Sequence, residues 1–430
     1  MHYLFPDLNL YLPHKNTVEK VHLYLNNGFI ENISPAHQPI QPEGYQVLPS
    51  AGWYASMGWF DMRACIADPG LEYKETLEQG SLCAQRGGFT EVLLLPNTQP
   101  VRQTKQDFAY LKSINQDTTL KFHAMASVTL DTKGEDLTEM IDLHYAGALA
   151  FSDGDVPLAN TGIVLKTLQY LQYFEGLLIQ SPEEPLLTQF GVMHEGVIST
   201  RLGLKGMPSL AETLIIQRDL QLLEYAGGKI HFSLISCAES VKLIQLAKQK
   251  GLQVTCDVAV HQLCFNDATM QGFNSYFKVN PPFRLESDRL ALWEGLADGT
   301  IDCIVSNHHA QDEESKNLEL DQAMFGVIGF ETFFPALFTA YQALDNKMPF
   351  EGLLSKFTTN PRQILGLPIP LLEKGAQANL TFFELESNKI INSQNLLSTQ
   401  KNSPFLNQTL KGSVKAVFNQ GVNLFFSIDK

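Results

Sequence analysis

KIHFSLISCAESVKLIQLAKQKGLQVTCDVAV, residues 229–260, contains two apolar, strand-like runs (229–236 and 252–260) around one helix-like segment. Within 238–251, Val241, Leu243, Ile244, Leu246 and Ala247 fall close to helical spacing, and Gly251 is a suitable C-cap. The same alternation continues outward. EVLLLPN (91–97) and TIDCIVSN (300–307) read as strands, and YKETLEQGSLCAQRGG (73–88) and SLAETLIIQRDLQLLEYAGG (209–228) read as helices. Strands alternating with helices over roughly 300 residues predict a parallel α/β architecture, and a (β/α)8 barrel over 53–366 fits that length.

The two ends of the chain read differently. VHLYLNNGFIENIS has alternating apolar positions around Asn26-Asn27-Gly28, a hairpin signal. From about residue 367 the pattern returns to short strands, in GAQANLTFFEL and GSVKAVFNQGVNLFFSI. Residues 1–52 and 367–430 are therefore expected to form one small all-β domain.

Composition narrows the function classes. Apolar residues make up 44% of the 430 and charged residues 18%, the balance of a globular chain. A net charge of -15 argues against a nucleic-acid partner, because phosphate binding needs clustered Lys and Arg. No apolar run approaches the ~20 residues of a membrane span, and MHYLFPDLNLYLPHKN lacks the basic start and long apolar stretch of a signal peptide. The six cysteines (65, 83, 237, 256, 264 and 303) are scattered with no C-x-x-C pair. Reduced thiols in a cytoplasmic protein are expected, and the spacing is wrong for a zinc cluster.

In a barrel of this kind the chemistry lies at the C-terminal ends of the strands. DMRAC, LPN, FSDGD, LIQSPEE, HFSLIS, VAVHQL and VSNHHAQ fall there. Together with DPGLEYKETLEQG (68–80), RGGFTEVLLLPNTQPV (86–101), AFSDGDVP (150–157), MHEGVISTRLGLKGMPSLAE (193–212), KVNPPFR (278–284), DGTIDCIVSNHHAQDEESK (298–316), FGVIGFET (325–332) and SPFLNQTLKGSV (403–414), they carry a resemblance. In order and spacing the chain resembles the dihydroorotases of the amidohydrolase superfamily.

That resemblance implies a binuclear centre, usually zinc, that activates a bridging water for opening the dihydroorotate ring or closing carbamoyl aspartate. Most of its ligand positions here carry the wrong chemistry. The paired histidines after the first strand fall on Arg63, a permanent cation that repels a metal, and Cys65, which could ligate only as a thiolate. The acidic ligand is represented by Asp153, although a loop-capping role suits that residue as well. Two further histidines are replaced by Gln180 and Leu234, and the Asp that serves as ligand and base is replaced by Asn307. An uncharged amide cannot accept and return a proton at neutral pH.

Four residues are substrate-pocket candidates. The arginine that clamps the substrate carboxylate falls on Ala67, and a substrate-binding histidine falls on Gln311. Asn97 and Asn280 match family substrate asparagines, though each flanks a proline and suits a turn equally. His231 and His261 read as structural. His308 and His309, adjacent on an extended segment, are expected to face opposite ways.

The expectation is a dihydroorotase homologue that is not catalytic, with no metal and no catalytic residue. The resemblance implies aspartate transcarbamoylase as its structural partner and self-association as a further option. One alternative is an active, zinc-dependent dihydroorotase on an unusual site built from Asp153, Cys65, His231 and His308. The other is a repurposed pocket that binds a different small anion through Arg63.

Overall fold

The computed structural model describes residues 1–345 and 348–426. Parallel strands Trp59–Cys65, Phe89–Leu94, Lys121–Ala126, Ala150–Phe151, Leu178–Gln180, Ile230–Phe232 and Val254–Ala259 neighbour one another in chain order. The eighth position is a broken strand. Cys303–Val305 pairs with Val254–Ala259, and His308–His309 pairs with Trp59–Cys65, so the two pieces close the sheet on itself. Asp61 fastens the seam: its carboxylate accepts from the Ser306 amide at 3.0 Å and from the Ser306 hydroxyl. Ser306 and Asn307 lie at the break, and Asn307 has φ +47°.

Every residue of Trp59–Cys65 and Phe89–Leu94 is buried, as parallel strands enclosed on both faces require. Helices Leu77–Arg86, Leu210–Ala226, Ala238–Gln249 and Glu286–Asp298 belong to the outer layer. Helix Thr359–Ile364 plugs the lower end of the barrel, with Ile364 and Leu365 packed on the interior cluster. Its Arg362 is fully buried and holds Glu91 at 2.7 Å, while His123 holds the other Glu91 oxygen at 2.8 Å.

The chain ends meet in a second, eight-stranded sheet. Its order is Val422–Phe425, Thr409–Asn419, Leu380–Ile390, Tyr54–Met57, His2–Leu12, Thr17–Asn26, Phe29–Pro35, with Gln46–Val47 beside His2–Leu12. Phe5 stacks on Phe382 at 4.3 Å, joining the first and last segments in one core with Leu8, Leu23 and Phe418. Asn27 and Gly28 connect the Asn26–Phe29 pair with φ of +47° and +82°, the geometry of a two-residue hairpin turn. Among the described residues no helix is long and apolar enough to cross a membrane.

Candidate functional site

A cavity of about 310 Å³ opens at the C-terminal ends of the barrel strands, lined by Arg63, Lys74, Asp155, Glu183, Asn307 and His309 among others. Arg63 lies at its base, only 2% exposed. Each guanidinium nitrogen has a partner: Nε donates to Asn307 Oδ1 at 3.3 Å, Nη1 to Ser181 Oγ at 3.2 Å and Nη2 to Asp155 Oδ1 at 2.8 Å. One cation thus ties together three strand ends far apart in sequence. Lys74, on the loop after the first barrel strand, adds a second positive charge and forms no ion pair among the described residues.

The adjacent histidines part as an extended pair should. His308 turns inward, donating from Nε2 to Glu75 at 2.7 Å while Nδ1 accepts from the Gly329 amide and the ring stacks on Phe330. His309 faces the cavity, with Nδ1 3.6 Å from Asp155 Oδ2. Burial lowers the His309 pKa, and Asp155 opposes that shift. It is the direct register partner of Cys65 on the neighbouring strand. Ligand atoms of Cys65, Asp155 and His309 all lie within 4.8 Å of one another. Burial pushes the Cys65 thiol up to about 12, with Asp155 adding to the rise and Arg63 opposing it.

Asp153, Gln180, His231 and His261 do not converge on this cavity. Asp153 is buried and spent on a loop: its carboxylate accepts from the amides of Val128 and Thr129 at 2.8 and 2.9 Å and from the Thr129 hydroxyl at 2.5 Å. Gln180 braces Leu158 on both backbone groups and donates to Asp219 at 3.0 Å. His231 bonds Thr255 at 2.8 Å and Asp257 at 2.9 Å. His261 is buried against Phe283, and burial lowers its pKa to about 3. The four-residue site of Asp153, Cys65, His231 and His308 is therefore not assembled. Three of its members are spent on separate hydrogen-bond networks, and Cys65 is buried in the barrel's interior cluster beside the cavity.

Leu234 and Asn307 line the cavity, the former with φ +63° and its amide on Asp257 Oδ1 at 2.7 Å. The substrate-pocket candidates divide. Asn97 uses both ends of its amide on the neighbouring turn, donating to the Asp153 carbonyl and accepting from the Asp155 amide. Ala67 is buried and does not line the cavity. Asn280 and Gln311 do line it, and each leaves its side-chain oxygen buried without a partner. The nitrogen of Asn280 donates to Glu183 at 2.7 Å and that of Gln311 to the Phe325 carbonyl at 2.8 Å.

Asp155, Lys74, Ser181 and Glu183 were not singled out from the sequence. For Asp155 a signal exists in FSDGD. Gly154 has φ +68°, and a Cβ there would collide with Asn97 Oδ1, so this glycine carries the backbone around a turn that presents the second aspartate to the cavity. Lys74 and Glu183 reach the cavity from loops and have no sequence spacing that marks them.

A two-metal centre does not fit these residues. Arg63 places a permanent charge among the ligand positions, Leu234 has no lone pair to donate, and Gln180 and Asp153 are engaged elsewhere.

A closed parallel barrel with a strand-end cavity and an attached sheet of both chain ends is the amidohydrolase architecture. The sequence matches the profile described as "Amidohydrolase family" over residues 188–424 and that described as "Dihydro-orotase-like" over 56–240. The solved L-hydantoinase (dihydropyrimidinase) of Arthrobacter aurescens superposes with a TM-score of 0.85 at 21% identity, covering 99% of this chain and 96% of that one. A solved D-hydantoinase gives 0.82 at 18% identity, with 99% and 95% covered. Curated relatives are nearer in sequence. The dihydroorotase of Pelotomaculum thermopropionicum is 36% identical, covering 93% of both chains, and that of Carboxydothermus hydrogenoformans is 34% identical, covering 97% of both. The chain belongs to the dihydroorotase family.

Proposed function

We propose that this chain is a cytoplasmic dihydroorotase homologue that no longer catalyses the ring reaction and serves as a structural partner of aspartate transcarbamoylase. One observation carries the loss of catalysis: the Arg63 guanidinium stands at the base of the cavity, bonded to Asn307 where a proton-accepting aspartate is needed. A hydroxide generated on two metals and a carboxylate to relay its proton are both required for this hydrolysis. Here the central cation is an arginine and the relay is an amide. The partner rests on the family resemblance.

The test is direct. Protein purified and supplied with zinc is assayed for carbamoyl aspartate cyclisation and dihydroorotate hydrolysis. No turnover above the zinc-only blank is expected; turnover with two bound zinc ions would establish the active alternative instead. Co-purification with aspartate transcarbamoylase, read by gel filtration of the mixed proteins, tests the partner, and two separate peaks at micromolar concentration would reject it.

A second reading has its own support. Lys74, which has no ion pair among the described residues, suits a pocket that holds a small anion, and the unpartnered oxygens of Asn280 and Gln311 are free to accept from N–H or O–H groups that such a molecule carries. Thermal-shift measurements with pathway metabolites address it: a rise in Tm that Arg63→Ala abolishes is the expected result, and no shift with any of them would reject it.

A further inference from the structure

We infer that Cys65, Asp155 and His309 form a site for one thiophilic divalent cation, zinc or its analogues, on a donor set different from that of the two-metal centre. The inference builds on the reading above that the two-metal centre is lost.

Geometry supplies the first argument. Cys65 ends the first barrel strand, and His309 is opposite it in register on the adjoining strand piece. Parallel neighbours lie about 4.8 Å apart, so two side chains facing the same way bring their donors within reach of one ion. Asp155 enters from the loop after Ala150–Phe151, on the far side of the cavity. The three donor atoms already lie within 4.8 Å of one another. Tetrahedral zinc with bonds of about 2.0–2.3 Å places its ligands roughly 3.3–3.8 Å apart, so rotamer adjustments of about 1 Å close the set.

The hydrogen-bond inventory supplies the second. Among the described residues no group hydrogen-bonds to the Cys65 thiol or to the His309 ring, although Cys65 is buried and His309 only 26% exposed. His308 beside it and His231 across the barrel are both fully partnered. Asp155 divides its carboxylate. Oδ1 is held by Arg63 at 2.8 Å, and Oδ2 is turned to His309 at 3.6 Å. A ligating carboxylate whose second oxygen accepts from a fixed donor is how such ligands are oriented. Arg63 is thus the positioning residue of Asp155.

Charge and chemistry supply the third. The thiolate and the carboxylate supply two anionic ligands and the imidazole a third, neutral one, and a water can complete a tetrahedral set. Thiolate selects zinc, cobalt or cadmium over magnesium or calcium.

Cobalt(II) titration of the chelator-washed full chain tests this without any assay of turnover. One cobalt per chain is expected, with the intense near-ultraviolet thiolate-to-cobalt band, displaced by equimolar zinc. Cys65→Ser should abolish the band, and His309→Ala should weaken cobalt binding by roughly 10–100-fold. His309 is partly exposed, so His309→Ala carries the test even if Cys65→Ser fails to fold. No band in the wild-type chain at micromolar free cobalt overturns the inference, as does a band that survives both substitutions. One metal without turnover supports both this site and the loss of catalysis. No metal and no turnover removes only the site, and two metals with turnover removes the reading beneath it.

Discussion

At the scale of single residues, the cavity is organised by charge that has nowhere to go. Arg63 is buried, and its three nitrogens have partners on three separate strand ends. Replacing it by methionine keeps the volume and strands Asp155, Ser181 and Asn307. Because Asp155 is 37% exposed and water can re-solvate it, a loss of about 1–3 kcal/mol is expected rather than the larger cost of a fully buried pair, measured by urea unfolding. A second residue-scale expectation concerns Gly154. Its φ of +68° and the Asn97 oxygen beside it leave no room for a methyl group. Gly154→Ala should cost roughly 1–3 kcal/mol and displace Asp155. An alanine variant of unchanged stability would show that the turn has another conformation available.

At the scale of elements, the lower end of the barrel depends on Glu91. Burial alone would push its carboxyl up, but His123 and Arg362 outweigh that and bring it down to about 2. A carboxylate whose folded pKa lies below its unfolded value of 4.5 stabilises the fold fully above that value. The contribution is lost as pH falls from about 4.5 through about 2. Glu91→Gln leaves Arg362 buried without its counter-charge, at a cost of about 3–5 kcal/mol near neutrality. Unfolding of both proteins followed from pH 6 to pH 2 should show the gap narrowing over that acid window. A gap independent of pH would mean that packing of helix Thr359–Ile364, not the ion pair, holds the barrel floor.

Sequence patterns at this scale were legible where a segment carries its own signal. Residues 238–251 read as a helix and form one over Ala238–Gln249; the strand expected over 252–260 occupies Val254–Ala259. The expected strand over 300–307 is cut short, since Ser306 and Asn307 leave strand geometry at the seam. That break is set by Asp61, from the other end of the barrel chain, and local sequence carries no trace of it.

At the scale of the molecule, the terminal sheet joins the two chain ends and is fastened to the barrel. Phe382, from the last segment, is fully buried against Phe5 from the first. Asn419 donates to the carbonyls of Thr90 and Thr119, fastening that sheet to the barrel. Phe382→Ala should cost about 3–5 kcal/mol in a single unfolding transition. A loss below about 1 kcal/mol, or a separate early transition, would show that the two sheets fold apart.

The amino-acid sequence by itself determined the alternation of strands and helices, the family, and the residue types Arg63, Leu234 and Asn307 on which the proposed loss of catalysis rests. Those follow from residue types and spacings read in order. Only the tertiary structure decided that Asp155 rather than Asp153 meets the cavity, that His309 faces Cys65, and that His308 faces away to Glu75. The physical reason is that a side chain's direction at a barrel mouth is set by strand register and loop handedness. Register is fixed by closure between the first strand and the last, which no local stretch of sequence contains.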